Sequence, residues 1–306
     1  MHHVLRSEDI QLKPAYEGHS ALFTRRSLVD ASTGSVHMGL GLCALEAGGR
    51  IDTHAHSFEE SFYVLEGQPT LVLDGRANAL LPGACGLVPV GVPHAWLGSR
   101  KGSAKWIDML APQPRQGPAP DDLFFLGPPT NYEQEELDIR DPRSRHLFRM
   151  VDDDIELDKL KVGARVDAPT VSASMATALL AYSGIAVKML VDQRLDAQLH
   201  TMFMVQYQAG GAALPHDHPM EESYYILDGE VEAEADGKRY TLRAGDLFWT
   251  AVGSVHAFYN LRPGRVRWLE TQSPQPPARH SYRFNRDWDY LRQKLTGAST
   301  AERQSA

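Results

Sequence analysis

The sequence is poor in three features that mark other classes of protein. Its 306 residues include only two cysteines, too few for a disulfide framework or a cysteine-rich zinc site. Its net charge of −8 lacks the basic excess of a protein that binds nucleic acid or an anionic membrane. The longest apolar stretch, 80–93, is broken by glycine and proline and is too short to cross a bilayer. Because the first residues also lack the apolar core of a signal peptide, we expect a cytoplasmic protein.

What the sequence does contain is a long internal repeat. The segment GGRIDTHAHSFEESFYVLEG at 48–67 returns as GGAALPHDHPMEESYYILDG at 210–229, an offset of 162 residues (210 − 48). The same offset relates Trp106 to Trp268, so no insertion separates the two ends of the repeat. The repeat therefore predicts a tandem duplication rather than one large domain.

Each copy is expected to be all-β. Short runs rich in aromatic and β-branched residues, such as 61–65 and 223–227, alternate with turns such as Asp74-Gly75 and Asp236-Gly237. Many short strands separated by glycine and proline are typical of barrels and sandwiches. The predicted parts are an N-terminal barrel at 15–112, a proline-rich bridge at 113–176, a C-terminal barrel at 177–275, and a tail at 276–306 with a short helix at 286–295.

Six of the 13 histidines fall into two clusters with the same spacing. In each, an H-x-H pair precedes a glutamate by four residues, and a third histidine follows further along. Side chains two apart on a strand face the same side, so the pair can present two imidazoles to one point. Three imidazoles and a carboxylate suit Fe(II), Mn(II), Ni(II) or Zn(II), and four ligands leave two positions of an octahedral ion open. The predicted metal ligands are His54, His56, Glu60 and His94 in the first copy and His216, His218, Glu222 and His256 in the second.

A second glutamate stands beside each predicted ligand. Glu59 and Glu221 precede Glu60 and Glu222 directly. Neighbouring side chains on a strand point to opposite faces, so only one glutamate of each pair can face the histidines. We expect Glu60 and Glu222 to face inward.

The two motifs resemble those of the cupin superfamily, G-x5-H-x-H-x3-4-E-x6-G and G-x5-P-x-G-x2-H-x3-N. Gly98 stands where the second motif usually has asparagine, and Ala251 stands where it usually has proline. The resemblance covers about two thirds of the chain. It implies a bicupin, that is, two tandem jelly-roll barrels with a metal pocket inside each. The matches lie at 48–67 and 83–98 in the first copy and at 210–229 and 245–260 in the second.

The second pocket is predicted to be the more polar one. Alternation along the strands places Phe62 and Trp96 inward in the first copy, and Tyr224 and Asn260 inward in the second. Tyr224 and Asn260 are predicted to orient a substrate, which favours the C-terminal barrel as the catalytic one. For 202–207 the sequence leaves open whether the even-numbered or the odd-numbered residues face the pocket.

The resemblance leaves three functions open. The first is a non-haem Fe(II) dioxygenase, with manganese or nickel as alternatives, acting on a small aromatic or keto acid as bicupin ring-cleaving dioxygenases do. The second is a Mn(II)-dependent hydrolase similar to the ureidoglycine aminohydrolase family, which has a similar length and bridge but a different ligand arrangement. The third is a non-catalytic bicupin that binds a small molecule. We expect a homodimer or higher homo-oligomer, without nucleic-acid or membrane partners.

Overall fold

The described residues show strands and short 3-10 helices as their regular structure, which confirms the all-β prediction. No helix in this part of the chain has the length and apolar character needed to cross a membrane. The predicted C-terminal helix at 286–295 lies outside the described residues. The residues that the computed structural model describes are 1–115, 122–130, 132–155, 183–275 and 283–284.

Strands follow one another closely along both halves of the chain. Those of the first half are β1 His2–Leu5, β2 Lys13–Pro14, β3 Ser20–Val29, β4 Gly39–His56, β5 Glu59–Glu66, β6 Thr70–Leu73, β7 Arg76–Ala79, β8 Ala84–Val88, β9 His94–Leu97, β10 Ala104–Ala111, β11 Leu123–Gly127, β12 Glu133–Glu136 and β13 Leu147–Arg149. Those of the second half are β14 Ile185–Val191, β15 Thr201–Tyr207, β16 Ala212–Asp217, β17 Glu221–Asp228, β18 Glu230–Ala235, β19 Lys238–Arg243, β20 Leu247–Thr250, β21 His256–Tyr259, β22 Val266–Ser273 and β23 Arg283–Phe284. The 3-10 helices are Ser7–Asp9, Ala31–Thr33, Pro142–Ser144, Asp152–Ile155 and Gln193–Leu195.

The C-terminal half forms two sheets around one core. One sheet has six strands in the order β1, β20, β17, β22, β15 and β14, and the other has five in the order β19, β18, β21, β16 and β23. Between them lies a cluster of buried side chains that includes Tyr224, Phe258 and Trp268. Two antiparallel sheets enclosing a single core are the jelly-roll arrangement that the cupin resemblance implies.

The N-terminal half repeats this arrangement in one continuous sheet, because a single long strand runs through both of its layers. β4 has 18 residues. Its first part pairs with β10 and its last part with β9. Between these parts Gly48 has a φ of +72°, a conformation that glycine adopts without strain. In the C-terminal half β15 and β16 take the place of β4.

The strand β15 resolves the alternation that the sequence left open. Phe203, Val205 and Tyr207 belong to the buried cluster inside the C-terminal barrel. Met202 and Met204 belong to a separate cluster that contains buried side chains from both barrels and fills the space between them. The odd-numbered residues therefore face the predicted pocket, and the even-numbered methionines join the two barrels.

Segments outside the two predicted barrels extend their sheets. β1 pairs with β20, so the N-terminal segment of the chain joins a sheet of the C-terminal half. β11, β12 and β13 fall within the predicted bridge and pair with β4, β7 and β8. The described part of the bridge thus contributes three strands to the N-terminal sheet. The domain boundaries at residues 112, 176 and 275 stay predictions.

Candidate metal centres

The N-terminal cluster forms where three strands begin or end. β4 ends with His54 and His56, β5 begins next to Glu60, and β9 begins with His94, which is paired with His54. The Nε2 atoms of His56 and His94 lie 3.3 and 3.6 Å from Oε2 of Glu60. Ligand atoms of His54, Glu60 and His94 lie within 4.8 Å of one another. All four side chains are buried.

The C-terminal cluster has the same construction. His216 on β16 is paired with His256 at the start of β21. The Nε2 atoms of His218 and His256 lie 2.6 and 3.6 Å from Oε2 of Glu222 on β17. Ligand atoms of the three histidines lie within 4.8 Å of one another. The structure therefore brings each predicted set of four ligands together in its own barrel.

Backbone carbonyls hold all six imidazoles in one orientation. Each Nδ1 lies within hydrogen-bond distance of a carbonyl oxygen two residues away, which fixes the ring and leaves Nε2 for a ligand. The Nε2 atoms of His56 and His94 are buried and have no hydrogen-bond partner among the described residues, an arrangement that fits a metal ion. The carbonyl partners are Asp52 for His54, Phe58 for His56, Val92 for His94, Leu214 for His216, Met220 for His218 and Ser254 for His256.

The electrostatics of both clusters favour a divalent cation. Burial, helped by a neighbouring histidine, lowers the pKa of His54 and of His216 to about 3, so both stay neutral and keep a lone pair for a metal. Burial alone would raise the pKa of Glu60, but its contacts with His56 and His94 lower it below the usual value. The pKa of Glu222 is lowered in the same way by His218 and His256. Each cluster thus offers one imidazole held neutral by burial and one carboxylate anion.

Comparison with known proteins agrees with this geometry. The family described as the cupin domain matches residues 41–110 and again residues 203–271, one match for each cluster. The chain is a bicupin. Quercetin 2,3-dioxygenase of Bacillus subtilis is 25% identical to it over 261 residues, which cover 79% of this chain and 76% of that protein.

Solved structures share the fold of this bicupin at low sequence identity. Salicylate 1,2-dioxygenase from Pseudoaminobacter salicylatoxidans, in adducts with gentisate, superposes with a TM-score of 0.68 at 16% identity, covering 89% of this chain and 81% of that chain. Oxalate decarboxylase from Lactobacillus farciminis, in a formate complex, superposes with a TM-score of 0.62 at 14% identity, covering 97% and 94%. These likenesses support two jelly-roll barrels in tandem.

The glutamates beside the clusters point away from the metal sites of the bicupin. Glu59 accepts hydrogen bonds from the backbone N–H groups of Gln198 and Leu199, in the other half of the chain. Glu221 accepts them from Val36 and His37. The alternation expected along β5 and β17 therefore holds, and Glu60 and Glu222 are the glutamates that face the histidines.

Two polar side chains surround Glu222 and have apolar counterparts in the first barrel. The Tyr224 hydroxyl donates a hydrogen bond to Oε2 of Glu222 and lies 2.7 Å from Nε2 of His256. Gln272 donates through Nε2 to Oε1 of Glu222. One repeat earlier the corresponding residues are Phe62 and Leu110. The C-terminal carboxylate is thus held on both oxygens by groups that the N-terminal site lacks.

The described hydrogen bonds of the Asn260 side chain go to backbone groups. Its Nδ2 lies 3.0 Å from the carbonyl oxygen of Gln208 and 2.6 Å from that of Gly264, and its Oδ1 accepts from the N–H of Arg262. These contacts tie the turn after β21 to the end of β15. The structure thus gives the Asn260 side chain backbone partners, and its role beside a substrate stays a prediction.

A small cavity opens beside the C-terminal cluster. Its lining includes His216, Tyr224 and Glu270 together with apolar side chains of β14, β15 and β22. Glu270 is buried, and burial together with the charge of Glu222 raises its pKa well above the usual value. Sequence reasoning missed Glu270 and Gln272. The repeat offset could have shown Gln272, because it replaces a leucine of the first copy.

Proposed function

We propose that this bicupin is a metal-dependent oxygenase and that its C-terminal barrel carries out the reaction on a small aromatic molecule. The observation that carries the proposal is the polar surround of Glu222, supplied by Tyr224 and Gln272 beside an apolar cavity. The likeness to quercetin 2,3-dioxygenase supports an oxygenase rather than another metal-dependent reaction. Fe(II) is the proposed metal, and Mn(II), Ni(II) and Zn(II) suit the same four ligands.

His216, His218, Glu222 and His256 would hold the metal. When bound, an iron ion supplies the redox chemistry by which dioxygen and an organic substrate react. The N-terminal ligands would hold a second ion, for which we propose a structural role, because apolar Phe62 stands where the C-terminal barrel has a tyrosine hydroxyl.

The protein side chains handle the proton and the substrate. Tyr224 stands between Glu222 and His256, so its hydroxyl can pass a proton between a substrate hydroxyl and the Glu222 carboxylate. Gln272 holds the other carboxylate oxygen and fixes the orientation of Glu222. Phe258 and Trp268, both buried in the barrel core, form part of the apolar wall of the cavity.

Metal analysis combined with oxygen uptake tests the proposal. Protein purified without chelators is analysed for metals, loaded with Fe(II) and supplied with a panel of phenols and aromatic acids while oxygen is recorded. We expect uptake that His218→Ala abolishes and that the matched variant His56→Ala, in the other barrel, leaves above half of the wild-type rate. Equal loss in both variants would contradict catalysis in the C-terminal barrel.

The two other functions predict different results in the same samples. A hydrolase would release ammonia from an amide-like substrate with Mn(II) and would consume no oxygen. A non-catalytic bicupin would bind its ligand equally well after chelation and in His218→Ala. Either pattern would overturn the oxygenase assignment.

A further inference from the structure

The two barrels differ at one buried acidic position. Asp108 on β10 and Glu270 on β22 are separated by the repeat offset and are both buried. In the first barrel Arg25 binds Asp108 through two hydrogen bonds, with Nε 2.6 Å from Oδ2 and Nη2 2.7 Å from Oδ1. The counterpart of Arg25 in the second barrel is Val187. The duplication has therefore kept the acid and replaced the cation.

The space that Arg25 occupies in the first barrel is organised differently in the second. A side chain at Gly41 would collide with the guanidinium of Arg25, so this glycine makes room for the ion pair. The counterpart of Gly41 is Phe203, which lines the cavity together with Val187. The interior that an ion pair fills in the first barrel is thus an apolar pocket with one carboxyl group in the second.

This pocket has room for a small ligand. It holds about 50 Å³ of space for water molecules and reaches from His216 to Glu270. Because one water needs about 10–15 Å³ of such space, the cavity takes a few waters or one small ring. Its walls include the rings of Tyr207, Phe258 and Trp268, which offer an aromatic molecule flat apolar contacts.

Glu270 is the acidic group that faces this cavity. Trp268 donates a hydrogen bond from Nε1 to Oε2 of Glu270 at 2.9 Å. Among the described residues that line the cavity there is no lysine or arginine. A buried carboxyl group without a cation costs folding free energy unless it gains a partner. A ligand group in the cavity would be a further partner for Glu270, beside the N–H of Trp268.

We propose that Glu270 binds a hydroxyl group of a neutral aromatic substrate, and that the C-terminal barrel for this reason rejects carboxylates. The inference rests on the proposed role of this barrel as the site of reaction. A hydroxyl group both donates and accepts, so it pairs with Glu270 whether the carboxyl group is protonated or ionised. A carboxylate placed at the Glu270 end of the cavity would meet a second carboxyl group and no lysine or arginine on the described wall, which is unfavourable in a buried site.

Three matched probes test the proposal without turnover. Phenol carries the hydroxyl group, anisole has the same ring without a donor, and benzoate carries a carboxylate. Their affinities for the metal-loaded protein are measured by calorimetry in the absence of oxygen. We expect phenol to bind about tenfold or more tightly than either of the others, since one hydrogen bond to a buried polar group corresponds to roughly that factor.

Two substitutions at one position separate recognition from folding. Glu270→Met keeps the length of the side chain without its polar atoms and is expected to lower phenol affinity about tenfold while anisole affinity changes less than threefold. Glu270→Gln keeps the shape but replaces the carboxyl group with an amide that cannot ionise, and is expected to raise benzoate affinity relative to phenol. The control is Cys43→Val, which gives the first barrel the residue of the second and is expected to leave all three affinities unchanged.

Several outcomes would overturn the proposal. In the wild type these are no binding of phenol, or equal affinity for benzoate and phenol. In Glu270→Met the contradicting result is an unchanged phenol affinity. Should that variant not fold, an unchanged ratio of benzoate affinity to phenol affinity in Glu270→Gln would overturn the proposal instead. A Glu270-dependent preference for phenol without oxygen uptake on any substrate would overturn only the oxygenase assignment. Oxygen uptake without that preference would overturn only the role of Glu270.

Discussion

Glu59 and Glu221 each accept hydrogen bonds from backbone N–H groups of the opposite barrel. Glu59 follows the ligand-bearing end of β4 and receives the N–H groups of Gln198 and Leu199 at 2.8 and 2.9 Å. Glu221 occupies the same position one repeat later and receives the N–H of Val36 at 2.8 Å. Glu59 directly precedes Glu60, and Glu221 directly precedes Glu222. The strand that carries a predicted metal ligand is therefore also hydrogen-bonded to the other barrel.

Glu221→Gln tests this fastening. A glutamine offers one acceptor and an unwanted donor to the N–H groups of Val36 and His37, so one partly buried N–H group loses its acceptor. We expect the free energy of unfolding to fall by about 1–3 kcal/mol in urea titrations, with the metal content unchanged. The control is Glu66→Gln, because the Glu66 side chain is 66% exposed and its ion pair with Lys105 adds little. Loss of metal in Glu221→Gln would show that the residue acts on the site as well.

The contribution of Tyr224 and Gln272 to metal binding can be tested by replacing them with the residues at the same positions of the first repeat. In a His56→Ala background only the C-terminal site is left intact, and Tyr224→Phe with Gln272→Leu then gives Glu222 the neighbours that Glu60 has. Removing such supporting groups typically weakens metal binding by about 10–100-fold, and we expect a loss in that range in competition with a coloured chelator. Tyr225→Phe is the matched control, because Tyr225 belongs to the cluster between the barrels. Unchanged affinity in the double variant would contradict a supporting role.

The local part of the site was predictable because strand alternation is a local property. The spacing of His54 and His56 is enough to put two imidazoles on one face of a strand, and the repeat shows the pattern twice. The all-β class follows from the same short runs and turns. The choice of the odd-numbered face of β15 was not predictable, because both faces are apolar and each packs against a different core.

Contacts between segments that are far apart in the chain could not be predicted from the sequence. The pairing of β1 with β20 and of β11 with β4 depends on how free sheet edges are covered in three dimensions. Asn260 matches a motif position, yet its amide is taken by backbone carbonyls of a neighbouring turn. The partner of Asp108 lies 83 residues away, so the difference between Asp108 and Glu270 appears only when β3 and β10 lie on the two sides of β4.

Asp246 makes the docking of the N-terminal segment dependent on pH. Burial alone would raise its pKa, but hydrogen bonds from the N–H groups of Ser7 and Arg243 and from the Arg6 guanidinium lower it below the ordinary 3.8. A carboxyl group with a lowered native pKa stabilises the fold above its unfolded pKa, and this contribution disappears as the pH falls through the native value. We expect Asp246→Asn to be about 1–3 kcal/mol less stable than the wild type at pH 6, with the difference shrinking as the pH falls below 3.8. A constant difference across this range would contradict the assignment.

Asn260→Ala tests the role of the turn after β21. The alanine leaves the carbonyl groups of Gln208 and Gly264 without their amide donor, and we expect a loss of about 1–3 kcal/mol in thermal or urea unfolding. The substrate dependence of any oxygen uptake should stay the same, because the described hydrogen bonds of the side chain go to backbone groups. A change in KM at unchanged stability would instead place Asn260 beside the substrate.

Arg25→Val reproduces in the first barrel the loss of the cation seen in the second. It leaves Asp108 buried without its guanidinium partner, and breaking a buried pair from one side typically costs about 3–5 kcal/mol. Adding Asp108→Leu removes the unpaired acid, and we expect it to recover most of the lost stability. Arg143→Val is the control, because this arginine pairs with Asp141 at the surface and should change stability by less than about 1 kcal/mol. If Arg25→Val alone were as stable as the wild type, an unpaired acid would be harmless in this barrel. The burial of Glu270 without a lysine or arginine beside it would then be no argument for a ligand in the cavity.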